Sequence, residues 1–271
     1  MAVYLKDKVA GILFTDEDTR GYTVKVMSKV LEIDEQEIRD NLRLITPRVN
    51  ENINTKYSEL DAVYENNTMI INIEINMHYS KYLHQKNQRY VYQLNLKQIK
   101  AGEKELKHKT VYQININYYD IFKHKEFIYT SQMMEIRYHD LRDKNSKIID
   151  INLEYLEQFS YNDIISKFER ESLERLLYIF VTDDIEIIRE LSKGDNIMAE
   201  VEKKLSALTE DFYNELYYDR EELLESYSYE KGISDRNIEI AKNMLSDNMS
   251  IENISKYTNL SEEEVNKIKR E

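Results

Sequence analysis

The residues best placed to do chemistry lie on either side of one turn. Tyr57 to Tyr64 and Met69 to Asn76, both rich in β-branched and aromatic side chains, flank Glu65-Asn66-Asn67-Thr68. An Asn-Asn pair between two such runs predicts a β-hairpin. Closure over Asn66-Asn67 pairs residues whose numbers sum to 133, so that Asp61 faces Asn72 and Glu59 faces Glu74. Because strand side chains alternate, Glu59, Asp61, Asn72, Glu74 and Asn76 then share one face, and Leu60, Ala62, Tyr64, Met69, Ile71, Ile73 and Ile75 share the other. Opposed carboxylates repel unless something positive lies between them, and a divalent cation bound by oxygen is one solution. The plainer alternative is a polar face turned to solvent, which half-buried sheets commonly show.

The elements that must position this hairpin can be read from periodicity. From Asp16 to Leu44 apolar residues recur every three to four positions (Val24, Met27, Val30, Leu31, then Ile38, Leu42 and Ile45), which predicts two short helices. A helix is expected over Tyr79 to Lys100, stopped at Gly102. Thr110 to Tyr118, Phe127 to Tyr138 and Ile148 to Leu153 have strand character. From Tyr161 onward the spacing is helical, through Ile164, Phe168, Leu173, Leu176 and Phe180, and again through Ile197, Val201, Leu205, Leu208, Phe212 and Leu216. The expected architecture is therefore α+β with a mixed sheet over residues 1–158, an acidic helical region over 159–232 and a helical tail over 233–271.

Composition removes whole classes of function. The chain has 271 residues and no Cys, so disulfides, thiolate metal sites and Cys nucleophiles are excluded. Five scattered Gly cannot build a GxGxxG or GKS/T loop, and no HExxH occurs. His78 and His84, six apart, point to different sides of a helix and do not make a paired metal site. The longest apolar run, Leu176 to Val181, is six residues, so no membrane span is expected, and the N-terminus lacks the features of a secretory signal. A cytoplasmic location follows as an expectation. Net charge is −13, yet residues 1–150 sum to +1 and residues 151–271 to −14. Within the first part, residues 77–125 hold ten cations against three acids, either a solvated helix face or the footprint of a phosphate backbone.

The hairpin residues and those that follow resemble a known family. Lys56-Tyr-Ser-Glu-Leu-Asp61, then Ile70-Ile-Asn-Ile-Glu74-Ile-Asn76, is similar to the core of the Rpn family of recombination-promoting nucleases, also called PD-(D/E)xK nuclease family transposases. Arg89-Tyr-Val-Tyr92, Gln98, Ala101-Gly-Glu103 and Val111-Tyr-Gln-Ile-Asn-Ile-Asn-Tyr-Tyr-Asp-Ile-Phe122 follow the family's order of helix, turn and core strand. Ser172 to Phe180, the acidic helices and Glu230-Lys-Gly232 are similar to its C-terminal half, so the likeness covers about residues 45–271.

The resemblance implies a restriction-endonuclease-like fold and a metal-dependent DNA endonuclease, linked to mobile-element recombination or phage defence. It implies Asp61 and Glu74 as ligands of Mg²⁺ (or Mn²⁺), with the backbone carbonyl of Ile75 as a further ligand. Hard Mg²⁺ prefers such oxygens, lowers the pKa of a bound water and offsets charge on phosphate. Two residues after the Glu, where the superfamily carries Lys and this family usually Gln, the chain has Asn76, which can hold a water but brings no charge. Lys56, Lys81 and Arg89 are the cations considered for making up that charge, and Lys56, Lys81, Lys86, Arg89 and Lys97 those expected to hold the DNA backbone. The alternative is a protein of the same fold, impaired in chemistry by Asn76, that binds DNA or another protein.

Two expectations concern the acidic half. The stripe from Ile197 to Leu216 can serve an intrachain core or a homodimer that brings two active sites to a duplex. The closing segment reads as two helices, with Ser250 capping the first and a Ser261/Glu264 capping box opening the second. It resembles a helix-turn-helix, but Glu262, Glu263 and Glu264 occupy the positions that would meet DNA, which favours a packing or partner-binding role.

Overall fold

The computed structural model of the chain describes residues 5–45, 62–77, 80–99, 108–182, 184–207, 236–247, 249–258 and 260–270. Three helices come first: α1 (Leu5–Thr15), α2 (Arg20–Leu31) and α3 (Glu35–Arg39). The α3 N-terminus is capped by Asp34, whose side chain accepts from the Gln36 N–H. Six strands follow in one sheet: β1 (Arg43–Ile45), β2 (Ala62–Glu65), β3 (Met69–Asn76), β4 (Thr110–Asn117), β5 (Ile128–Ser131) and β6 (Ser146–Asn152). Their order is β1-β2-β3-β4-β6-β5, with β3, β4 and β6 parallel and the outer pairings antiparallel. Helix α4 (Leu83–Lys97) lies in the connection between the parallel strands β3 and β4, and α5 (Glu154–Glu157) and α6 (Tyr161–Lys167) follow β6. The fold is thus α+β with a mixed sheet, as the sequence predicts.

Three details of the sequence reading are corrected. The hairpin register sums to 135, with Ala62↔Ile73, Val63↔Asn72 and Glu65↔Ile70, so the partner of Asn72 is Val63 and not Asp61. The reason is Asn66, which opens the turn instead of sitting at its centre. Its Oδ1 accepts from the Thr68 and Met69 N–H groups, and its Nδ2 donates to the Glu37 carbonyl. Lys109 fixes the same turn by donating to the Glu65 carboxylate at 2.7 Å and the Asn66 carbonyl at 2.5 Å. Secondly, residues 43–45, placed above at the end of a helical pattern, form the edge strand β1. Thirdly, strand structure after Phe127 is confined to Ile128–Ser131 before the chain leaves the sheet.

The sheet has two differently furnished faces. One carries Ala62, Tyr64, Met69, Ile71, Ile73, Ile75, Ile114, Ile116, Ile149 and Ile151, all buried in the main core with α1 and α2. That core also takes in residues C-terminal to position 158, among them Leu173, Leu176 and Leu177 of α7 (Leu173–Leu177), Ile188 of α8 (Ile185–Ser192), and Met198, Val201 and Leu205 of α9 (Asn196–Ala207). Tyr22 of α2 ties the two parts by donating to the Leu176 carbonyl at 3.0 Å. A division after residue 158 therefore falls inside one compact unit, which runs from Met1 to Tyr213. The Ile197-to-Leu205 part of the helical stripe is packed within the chain; Leu208, Phe212 and Leu216 lie outside the described residues. The second face is covered in its N-terminal half by Tyr90, Val91 and Leu94 of α4, which pack on Val63, Ile70 and Val111.

The other compact unit, Asn214–Glu271, has its own small core. Ala241, in helical residues 236–246 (α10), meets Ile254 of α11 (Ile251–Thr258) and Val265 of α12 (Glu262–Arg270). The expected capping box is present: Glu264 accepts from Ser261 N–H, and Ser261 Oγ accepts from Glu264 N–H. Among the described residues no helix is long and apolar enough to cross a membrane.

Candidate active site

Beyond the cover of α4, the second face of the sheet turns polar at the C-terminal ends of its parallel strands, the place where open α/β sheets hold their ligands. Alternation along β3 puts Asn72, Glu74 and Asn76 there; β4 adds Gln113, Asn115 and Asn117, and β6 adds Asp150 and Asn152. The register aligns them across the sheet, Glu74↔Asn115↔Asp150 in one row and Asn76↔Asn117↔Asn152 in the next. None is exposed to solvent beyond 7%. This overturns the solvent-facing alternative for the hairpin: the polar face is interior, and each group in it must find a partner.

The partners come mostly from within the set. Asn72 Nδ2 donates to Gln113 Oε1 at 2.8 Å, Gln113 Nε2 to Asn115 Oδ1 at 2.8 Å, and Asn115 Nδ2 to Asp150 Oδ1 at 2.9 Å. A second line runs from Asn76 Nδ2 to Asn117 Oδ1 at 3.1 Å and from Asn117 Nδ2 to Asp150 Oδ1 at 3.1 Å. Burial raises the pKa of Asp150, against the hydrogen bonds from Asn117 and Asn115 and the nearby His84, which lower it.

Glu74, 1% exposed, receives Asn72 Nδ2 at 3.3 Å on one oxygen and the Lys86 ammonium at 2.9 Å on the other. Lys86 also donates to Asn76 Oδ1 at 3.2 Å and lies 5.5 Å from the centre of the Tyr90 ring. Helix geometry explains its reach. Leu83, Asn87, Tyr90, Val91 and Leu94 are the buried face of α4, and Lys86 borders that face, so its stem follows the apolar surface while its amine extends over the strand ends.

The sequence-predicted residues thus fall into separate groups. Glu74 and Asn76 are together. The Ile75 side chain is in the core on the opposite face. Lys86 contacts both Glu74 and Asn76, which the sequence reading did not foresee. Arg89 and Lys97 are exposed on α4, three and eleven residues after Lys86 and hence on roughly the same stripe; Lys81 is exposed just before the helix. Asp61, Glu59, Lys56 and His78 lie outside the described residues. Gln113, Asn115, Asn117, Asp150 and Asn152 are not among the site residues expected from the sequence, although Gln113-Ile-Asn-Ile-Asn117 and Ile149-Asp-Ile-Asn152 repeat the alternation of Ile71-Asn-Ile-Glu-Ile-Asn76.

The donor chemistry suits a hard cation. Glu74 itself offers oxygen, and the buried Oδ1 of Asn72, two residues before it on the same face, has no hydrogen-bond partner among the described residues. No three His, Cys, Asp or Glu side chains gather as a metal set among the described residues, which gives Glu74 the one carboxylate described at this end of the network. Neither a search of curated proteins nor one of solved structures returned a match. A family model described as PD-(D/E)XK nuclease family transposase matches residues 7–241. With that match spanning most of the chain and the acidic strand residue at the end of a mixed sheet, the chain belongs to the PD-(D/E)XK nuclease family transposases.

Proposed function

We propose that this protein is a DNA endonuclease that hydrolyses phosphodiester bonds with the help of Mg²⁺, for which Mn²⁺ can substitute, in mobile-element recombination or phage defence. The observation that carries the reading is Glu74: a buried carboxylate at a strand end, on the same face as the unpartnered Oδ1 of Asn72, with an ammonium group as its partner. Its sequence partner is Asp61, the residue before Ala62, and Ala62 pairs with Ile73, the neighbour of Glu74. Asp61, Glu74 and the Ile75 carbonyl would hold the metal, which supplies an acidified water and offsets charge on the phosphate.

The chain's own residues have distinct tasks. Asn76 has its Nδ2 engaged by Asn117, so its Oδ1 is the atom that accepts a hydrogen bond from a water and orients it. Lys81, Arg89 and Lys97, with Lys56, hold the phosphate backbone electrostatically and without reading sequence. Cleavage of both strands needs two sites, which a homodimer would provide.

Nicking of supercoiled plasmid by the full chain in Mg²⁺ or Mn²⁺ is the test. Asp61→Ala and Glu74→Ala are expected to lower the rate by about 1,000-fold or more while DNA binding at low salt persists. Purified protein that binds DNA and cuts none would select the impaired binding module instead.

A further inference from the structure

Attack of water on a phosphodiester adds negative charge to the non-bridging oxygens of the phosphate, and a fixed cation beside them is worth a large part of the rate. Position 76 brings none. Lys86 is placed to do so from a different element: its ammonium is within hydrogen-bond distance of both Glu74 and Asn76, and it comes from α4, not from β3.

Two features separate this lysine from a mere neutraliser of buried charge. Its side chain is 33% exposed while that of Glu74 is 1% exposed, so the pair has a closed end and an end open to solvent. Arg89 and Lys97 continue the basic stripe of the same helix, which gives a phosphate backbone a path ending at Lys86. Lys109, by contrast, is committed to Glu65 and the hairpin turn.

Resting on the reading of Glu74 as a metal-binding carboxylate, we propose that Lys86 is the catalytic cation of this nuclease and that it exchanges with the divalent ion on Glu74. The ammonium lies on Glu74 Oε2 at 2.9 Å. A divalent ion held by the same carboxylate would compete for that oxygen, and Lys86 would then be available to the phosphate. In the reaction a water oxygen forms a bond to phosphorus and the ester bond to the leaving sugar oxygen breaks. The proton of the water passes to solvent and the leaving oxygen takes one up. Lys86 keeps its protons throughout and holds the added charge.

The test compares the full-length chain with Lys86→Met, Lys86→Arg and the double variant Lys86→Met/Asn76→Lys, by calorimetric Mn²⁺ titration without DNA and by plasmid nicking at saturating Mg²⁺. Lys86→Met is expected to bind Mn²⁺ about tenfold more tightly, having lost the competing charge, and to nick about 100-fold more slowly, having lost the cation. Lys86→Arg keeps wild-type Mn²⁺ affinity and most of the rate, and the lysine at position 76 restores at least about tenfold of what Lys86→Met loses. Mn²⁺ binding by Lys86→Met that is equal to or weaker than wild type overturns the exchange. Wild-type nicking by Lys86→Met, or a loss that neither cation recovers, overturns the catalytic role alone. If the wild-type chain binds Mn²⁺ and cuts no DNA, the nuclease reading falls with it, and the Mn²⁺ comparison still decides the exchange.

Discussion

The two faces of the sheet come from the same strands and the same two-residue alternation, but they are held in different ways. On one, Ile71, Ile73, Ile114, Ile116, Ile149 and Ile151 pack against helices from both ends of the compact unit. On the other, Asn72, Glu74, Gln113, Asn115, Asn117 and Asp150 are buried equally well and are joined by hydrogen bonds to one another. Apolar burial is non-directional and tolerates rearrangement, whereas a hydrogen-bonded row fixes the position and direction of each atom. The first face supplies stability; the second gives up some of it to hold a set of polar atoms in one geometry.

The sharpest way to break that division is to truncate neighbours that point to opposite sides. Glu74→Ala is expected to lower nicking by about 1,000-fold or more with a comparatively small change in urea midpoint. Ile73→Ala, one residue earlier and fully buried, should cost about 3 kcal/mol in chemical denaturation and leave the rate of the folded fraction near wild type. Equal effects of both on activity would mean that the faces are not separable.

Each face also contains one buried group whose titration reports on it. Tyr64, on the apolar side, donates its hydroxyl to the Phe14 carbonyl at 2.7 Å, and burial pushes its pKa up to about 12. The folded state keeps this phenol neutral after the unfolded one ionises, so its contribution is intact below about pH 10 and is lost as the pH rises toward about 12. Tyr64→Phe should remove about 1.4 kcal/mol of the alkaline destabilisation at pH 11, measured against its own stability at pH 8.

Asp150 is the smaller and subtler case. Its raised pKa means that the stability it lends is present below the ordinary aspartate range and is lost as the pH rises through the folded value. Asp150→Asn keeps the oxygen that accepts from Asn115 and Asn117 and removes the buried charge. It should therefore gain about 1 kcal/mol at pH 7 and nothing near pH 3. A loss at pH 7 would show that the charge itself holds the rows together.

How far the sequence revealed this depended on parity. The hairpin register was displaced by two, but 133 and 135 are both odd, so the sorting of Asn72, Glu74 and Asn76 onto one face and the isoleucines onto the other survived the error. The displacement came from Asn66, whose anchor on the Glu37 carbonyl is a contact no local pattern announces. For the same reason the sequence presents Lys86 as one phosphate contact among several: its place over Glu74 depends on how α4 is laid across the sheet. Asp150 stood in plain alternation in β6, but on a strand whose neighbours in space are given only by the parallel pairing with β4.

The amide rows have a direction. From Asn72 through Gln113 and Asn115, and from Asn76 through Asn117, every NH₂ group donates to the next member of its line, and both lines stop at Asp150 Oδ1. A carboxylate accepts and cannot donate, so reversing either line would set an amide oxygen against it and require all the amides in that line to turn at once. The orientation of Asn76 is in this sense decided two strands away. Amides also carry no mobile proton, so the two acids are joined by alignment and not by proton transfer: Asp150 sets which atom Asn76 turns toward Lys86.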